Sequence, residues 1–243
     1  MTSPSAADLA STPYIDSDHL SIVAVVEAVT ADARDDRERA VRLHDFVRDE
    51  IRFGWAPAFY DQKASDVLRA GIGFCNTKST LFLALLRAAG IPARQRFVDI
   101  DTRILDGLVN PGTPYVDHSY SEVWLDGRWL RVDSYILDRP LADAARTRLV
   151  AEGRVIGYGA HRDGVSIWDG ASDAFSQFVD NGAWPALGRN DHGVFADVGA
   201  FYASGRGVNK LNVFLRLGFG FFSRAANDRI AAIRDSDVTG SSR

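Results

Sequence analysis

The amino-acid sequence predicts an α+β fold, in which a strong helix packs on an antiparallel sheet and a C-terminal extension follows. Three observations support this. An apolar stripe at helical spacing begins after Cys75, a strand pattern follows it, and an Asp-Gly turn joins two later apolar runs. The 243 residues are 46% hydrophobic, which supplies a packed core and excludes a wholly disordered chain. The length fits one domain with extensions.

The elements before the central helix are predicted from residue spacing. Residues 1–18 begin with a stretch rich in Ser, Ala and Thr, so we expect a flexible tail there. Apolar side chains recur at helical spacing over 35–51, and a short helix is expected over 64–69. The aromatic-rich stretch 53–60 between them predicts a packed but irregular connection.

The central helix is expected to start at or just after Cys75 and to be amphipathic. Gly90 ends it and Pro92 prevents its continuation. Residues 94–100 then predict a strand, and the polar, turn-rich stretch 101–115 predicts a loop. The apolar stripe of the helix comprises Leu81, Phe82, Leu85, Leu86 and Ala89.

The Asp-Gly pair at 126–127 predicts a hairpin between strands 118–125 and 128–133. With a two-residue turn, Leu125 pairs with Arg128 and the numbers of paired residues sum to 253. A three-residue loop with a bulge would shift this register by one. The further expected pairs are Trp124–Trp129, Glu122–Arg131, Tyr120–Asp133 and His118–Tyr135.

The hairpin register brings a histidine and a carboxylate together. Asp133 becomes the diagonal neighbour of His118 on one face of the sheet, roughly 7 to 8 Å away and within reach of both side chains. An imidazole beside a carboxylate is what an oriented general base requires. The alternative is structural, with His118 as a hydrogen-bonded strand-end residue and Asp133 as a turn cap.

The chain after the hairpin is less regular. Residues 142–152 predict a helix, the pattern weakens from residue 153 onward, and further helices are expected over 194–203 and 211–234. Aromatic residues in this part are numerous enough to pack on the core or to line a substrate cleft. They are Phe175, Phe178, Trp184, Phe195, Phe201 and Tyr202.

The single cysteine is the candidate nucleophile. One cysteine excludes an intramolecular disulfide and a cysteine metal cluster. A lone cysteine is most often a buried, small apolar side chain. Cys75, however, follows a Gly-Ile-Gly-Phe turn and stands at the start of a helix, where the dipole and free N–H groups favour a thiolate. Lys78, one turn later, either lowers the thiol pKa or pairs with Asp61 or Asp66, and pairing is favoured.

Other chemistry is less well supported by the sequence. The pairs His161/Asp163 and Asp191/His192 could act as metal ligands or acid–base groups, but neither has the spacing of a zinc site. Glycine-rich phosphate-binding loops and acidic calcium loops are absent from the sequence. We therefore expect neither a metal nor a cofactor.

Charge and hydropathy indicate which partners and which cellular compartment to expect. A net charge of −4 gives no reason to expect nucleic-acid binding. The first basic residue is Arg34, and no apolar run approaches the ~18 to 20 residues of a membrane span. We expect a soluble protein of the reducing cytoplasm. The oligomeric state stays open.

Two separated motifs resemble the transglutaminase-like superfamily, which shares the papain-like cysteine fold. The first is GIGFCNTKSTLFLALLRAAGIPAR over 71–94, and the second is HSYSEVWLDGRWLRVD over 118–133. They agree with the family in order, spacing and hairpin placement, and the resemblance extends over about 35–138. Together with the composition of the first residues and the weaker pattern after residue 153, we expect three units: a tail over 1–18, a transglutaminase-like core over 19–152, and an extension over 153–243 that packs on the core.

The resemblance also implies a catalytic triad. Cys75 would attack an acyl group and form a thioester, His118 would move the proton, and Asp133 would orient His118. The Cys75 N–H is one oxyanion donor, and Gln62 and Trp55 are weak candidates for the second.

The leading hypothesis from these roles is a cysteine acyl-transfer enzyme acting on an amide or a thioester. Its substrate would be a peptide, a protein or an acyl thioester, and the acceptor would be water, as in a peptidase or amidase, or an amine. A natural-product-type acyl-thioester cyclase and a non-catalytic binding module are the alternatives. The fold alone does not choose among them.

Overall fold

The computed structural model describes residues 2–179, 190–209 and 213–236. Its helices are α1 Leu20–Thr30, α2 Asp36–Glu50, α3 Ala64–Ala70, α4 Cys75–Ala88, α5 Arg139–Ala151, α6 Val198–Ala203 and α7 Val213–Arg234. Its strands are β1 Arg52–Phe53, β2 Ile72–Gly73, β3 Ala93–Asp101, β4 Tyr115–Leu125, β5 Arg128–Val132, β6 Ile156–Gly157, β7 Ala160–His161 and β8 Asp191–Phe195. None of the described helices is long and apolar enough to cross a membrane.

Helix α4 lies at the centre of the fold. It contacts β3 and β4 on one side and α1, α2 and α3 on the other. Every residue from Cys75 to Arg87 is therefore buried, including polar Asn76 and charged Lys78. The predicted boundaries of this helix agree with the structure, but the expected polar face does not exist, because other elements cover that face too.

The main sheet has four antiparallel strands in the order β5-β4-β3-β8. Asp126 and Gly127 have φ angles of 51° and 78°, as a two-residue type I′ turn requires. The predicted pairs Leu125–Arg128 and Trp124–Trp129 are present, which confirms the register. The predicted pairs Tyr120–Asp133 and His118–Tyr135 are not formed, because β5 ends at Val132 and the chain leaves the sheet there.

The fourth strand, β8, was not predicted. Residues 194–195 were expected to begin a helix, but they lie in β8, paired with β3. Polar contacts hold the start of this strand on the sheet edge, since Arg96 binds Asp191 and His192 binds Asp99. Helix α6 begins only after Asp197, whose side chain accepts the Ala200 N–H.

Segments outside the central layer pack onto it at both ends of the chain. In the predicted tail, Ile15 is completely buried, and the Ala10 carbonyl accepts a hydrogen bond from Arg87. Near the C-terminus, Arg234 of α7 forms an ion pair with Asp138, 2.8 Å away. The division into tail, core and extension stays a prediction. Trp184 and residues 211–212 of the predicted last helix lie outside the described residues.

Candidate functional site

Cys75 is the first residue of α4, where the backbone N–H groups have no partner within the helix. The turn before it needs glycine, because a Cβ on Gly73 would lie 2.8 Å from the Thr77 Oγ1 atom and 3.0 Å from the Lys78 Cγ atom. That hydroxyl accepts the Phe74 N–H and closes the turn. Cys75 is buried, with 9% of the residue exposed, and it lines a cleft.

His118 of β4 lies between Cys75 and Asp133. Its Nε2 atom is 3.1 Å from an Asp133 carboxylate oxygen, and both residues are buried. Cys75 interacts electrostatically with the ring, while its thiol donates to the Asn76 side-chain oxygen at 3.6 Å and to the Asp117 carbonyl at 3.9 Å. Burial lowers the pKa of His118, but the hydrogen bond to Asp133 and the charges of Asp133 and Cys75 outweigh burial and raise it to about 9.

A segment after the hairpin holds Asp133 in place. One carboxylate oxygen accepts the backbone N–H groups of Ser176 and Gln177, and the other accepts that of Phe178 at 2.8 Å. The Phe178 ring also stacks on the His118 ring at 6.0 Å. Sequence reasoning missed this segment, since backbone donors carry no residue-type signal.

An apolar cleft of about 560 Å³ opens beside Cys75 and His118. Its aromatic lining residues are Phe53, Trp55, Phe59, Phe74, Phe219 and Phe222. Its aliphatic lining residues are Ile100, Ile104, Leu105, Val109, Val116 and Val208. A cleft of this size holds a substrate-sized group. None of the described aromatic residues singled out from the later sequence lines this cleft, and Phe201 and Tyr202 are buried. Phe219 and Phe222, which were not predicted, line it.

The two oxyanion candidates have different surroundings. Trp55 lines the cleft with Cys75. Its backbone N–H donates to the Asn227 side chain at 2.9 Å, and its indole N–H has no acceptor within the described residues. Gln62 does not line the cleft, and its amide donates to the Phe59 carbonyl.

Lys78 does not make the ion pair expected from the sequence. Its ammonium group donates to the Ile51 carbonyl at 2.6 Å instead of pairing with Asp61 or Asp66. Burial lowers its pKa to about 7, and Asp138 is the strongest opposing charge. Lys78 does not reach either aspartate because α4 is buried on all sides, which keeps this side chain inside the fold.

The remaining histidine candidates make structural contacts. His161 is completely buried, and its Nδ1 atom accepts the Asp163 N–H. Ligand atoms of Asp99, Asp117 and His192 all lie within 4.8 Å of one another. Their oxygens and ring nitrogen are already used, because Asp99 binds His192 and Asp117 accepts two backbone N–H groups. The cluster holds two loops against β3 and β4.

Comparison with known proteins agrees with the resemblance seen in the motifs. Residues 23–134, which are 112 of the 243, match the model of the transglutaminase-like superfamily. One similar solved structure is a candidate cysteine protease from Cytophaga hutchinsonii, with a TM-score of 0.42 and 18% identity over 51% of this chain and 39% of that chain. Another is a candidate protease from Parabacteroides distasonis, with a TM-score of 0.38 and 16% identity over 51% of this chain and 25% of that chain.

This chain thus spans well under half of either solved chain. No curated protein matches it. The family match confirms the predicted α+β, transglutaminase-like fold class.

Proposed function

We propose that this cysteine-based enzyme transfers acyl groups through Cys75, His118 and Asp133, which all lie in the stretch 23–134 that matches the model of the transglutaminase-like superfamily. One observation carries the proposal. His118 is hydrogen-bonded to the Asp133 carboxylate, interacts electrostatically with Cys75, and lies with Cys75 at the wall of a cleft that a substrate can enter. The substrate is an amide or a thioester of a peptide, a protein or a small acyl carrier.

The first half of the reaction acylates the cysteine. Since the pKa of His118 is raised to about 9, the ring is protonated at neutral pH and stabilises a Cys75 thiolate beside it. The thiolate attacks the carbonyl carbon, and the oxyanion receives the Cys75 N–H and the Trp55 indole N–H. His118 then gives its proton to the leaving amine or thiol, which departs as the Cys75 thioester forms.

The second half regenerates the enzyme. Water or an amine attacks the thioester, His118 removes the proton of the nucleophile, and the acyl product leaves Cys75. Throughout, Asp133 keeps the ring oriented and balances its positive charge. Water yields hydrolysis and an amine yields transfer, and the same residues serve both.

Alkylation of the thiol tests the nucleophile. Cys75 is the single cysteine of the chain, so iodoacetamide uptake reports on it alone. We expect alkylation at pH 6 to 7 to be faster than that of a model thiol, and to slow at least tenfold in His118→Gln. His192→Gln is the matched control, because His192 lies outside the cleft. An alkylation rate equal to the model thiol's in the unmodified enzyme contradicts the proposal.

Mass spectrometry tests the acyl-transfer step. Incubation with an activated acyl donor, followed by acid quenching, should give a mass increase of one acyl group on the peptide that contains Cys75. The increase should be absent from Cys75→Ala. Turnover of the donor without any adduct dependent on Cys75 would show that another group performs the reaction.

A further inference from the structure

We infer that the cleft beside Cys75 binds an uncharged, apolar acyl group, so that the preferred donor is an amide or thioester of a long alkyl or aromatic acid. The inference rests on the proposed acyl-transfer function and specifies its substrate. Alkyl acyl thioesters and peptides with an aromatic or aliphatic residue at the acyl position share this chemistry, and the experiment distinguishes these two sources.

The lining of the cleft is the first argument. Thirteen of its twenty lining residues are apolar, whereas sites for charged ligands carry a pairing charge. Of the described lining residues, none is Lys or Arg. Burying a charged acyl chain there would leave it unpaired, which is costly.

The charged groups that do line the cleft are already occupied. The Asp117 carboxylate accepts the backbone N–H groups of Val208 and Asn209, at 2.9 and 2.8 Å. His118 is bonded to Asp133. Neither group is free to recognise a charged substrate, so apolar contact is the main interaction that the cleft offers.

Helix α7 supplies a matched pair of positions for the test. Phe222 lines the cleft, where its ring lies 5.4 Å from that of Phe219. Phe221, the preceding residue, does not line the cleft and is 86% exposed. The same substitution at these neighbours changes the helix and the net charge equally, but only Phe222→Glu places a charge in the cleft.

The experiment compares p-nitrophenyl esters of acetate, octanoate and octanedioate with the enzyme, using Cys75→Ala for background hydrolysis. In each reaction the Cys75 sulfur bonds to the carbonyl carbon while p-nitrophenolate leaves with the electron pair, and water then hydrolyses the thioester. A half-buried alkyl chain adds about twofold in kcat/KM for each CH₂, so octanoate should exceed acetate by roughly 60-fold. The octanedioate monoester should react at least tenfold more slowly than octanoate.

The p-nitrophenyl ester of N-acetyl-phenylalanine represents a peptide donor. Its kcat/KM relative to that of the octanoate ester shows whether the cleft prefers a peptide side chain or an alkyl chain. Phe222→Glu should lower kcat/KM for octanoate at least tenfold and lower the octanoate-to-acetate ratio of kcat/KM at least fivefold. Phe221→Glu should change neither quantity by more than twofold. If circular dichroism shows that Phe222→Glu is misfolded, Phe222→Ala replaces it, with an expected threefold or greater fall in the same ratio.

A binding measurement separates this inference from the proposed function. Decanamide should bind Cys75→Ala in calorimetry, and Phe222→Glu in that background should weaken the binding at least fivefold. If the acetate, octanoate and octanedioate esters all acylate Cys75 at equal rates, the inference is wrong and the proposed function still stands. Decanamide binding without any acyl adduct on the unmodified enzyme would overturn the function and leave the apolar cleft standing.

Discussion

Replacing Asp133 with Asn removes a charge that four N–H donors and the Ser176 hydroxyl share. One carboxylate oxygen accepts the N–H groups of Ser176 and Gln177, and the other accepts those of Phe178 and the His118 ring. The amide that Asp133→Asn introduces has only one oxygen. If its NH₂ group faces Ser176 and Gln177, both backbone N–H groups lose their acceptor in a buried position. If it faces Phe178 and His118, only the Phe178 N–H does, because a neutral imidazole ring can accept from the NH₂ group.

The cost follows from that count. Each buried donor left without an acceptor costs about 1–3 kcal/mol, so Asp133→Asn should lower the free energy of unfolding by about 1–6 kcal/mol, depending on which way the amide turns. For a chain of this length each kcal/mol lowers the Tm by about 2–4 °C. The substitution should also lower the turnover rate, for a separate reason. If the NH₂ group faces His118, it favours the tautomer with the proton on Nδ1, which cannot accept the thiol proton, and turnover in such triads falls about 10⁴-fold.

Thermal unfolding and alkylation of Cys75 measure the two effects independently. Asp173→Asn is the matched control, since Asp173 also accepts a backbone N–H, from Arg131, but is partly exposed. The control should cost less than about 1 kcal/mol and leave alkylation unchanged. If Asp133→Asn lowers the Tm no more than the control and alkylation at pH 7 keeps its rate, the assigned role of Asp133 is wrong.

Three further predictions concern titration and packing. Since the pKa of His118 is raised to about 9, the rate of acylation should fall as pH rises through about 9; a pH profile that rises through pH 10 contradicts a protonated ring. Asn227→Leu should lower the free energy of unfolding by about 2 kcal/mol, because the Asn227 side chain bonds both the N–H and the carbonyl of Trp55; a change below about 0.5 kcal/mol in urea unfolding would show that water replaces it. Burial lowers the pKa of Lys78 to about 7, so the unfolded chain binds the extra proton between pH 7 and about 10.5 and stability rises with pH there. Lys78→Met removes this rise, and the wild type should therefore gain on the order of 4 kcal/mol relative to the variant between pH 6 and pH 10; parallel stability curves would refute it.

Local rules were sufficient for the elements that carry the candidate triad. The Asp126-Gly127 pair adopts the two positive φ angles expected of it, and these set the register as far as the Ser121–Val132 pair. The start of α4 at Cys75 was likewise predictable from a glycine turn and an apolar stripe. In each case the determining interactions lie within a few residues of one another.

Interactions between distant segments were not predictable. The expected Glu122–Arg131 pair shares a position in the register, but Glu122 binds Arg94 and Arg131 binds Asp173. These partners belong to other strands and loops, so a hairpin considered alone cannot reveal them. The same holds for Lys78, whose environment depends on which helices cover α4.

The candidate site joins two parts of the chain that differ in what they contribute. The family match ends at residue 134, and the three proposed catalytic side chains lie within it. The donors that hold Asp133 come from 176–178, and Phe222 of the cleft comes from α7. Fifteen of the twenty residues that line the cleft also lie within the matched stretch, and five come from later residues, among them Phe219 and Phe222 of α7. Because α7 contributes to the cleft wall and none of the reacting groups, a change in α7 should alter which acyl group is accepted without altering how it is transferred.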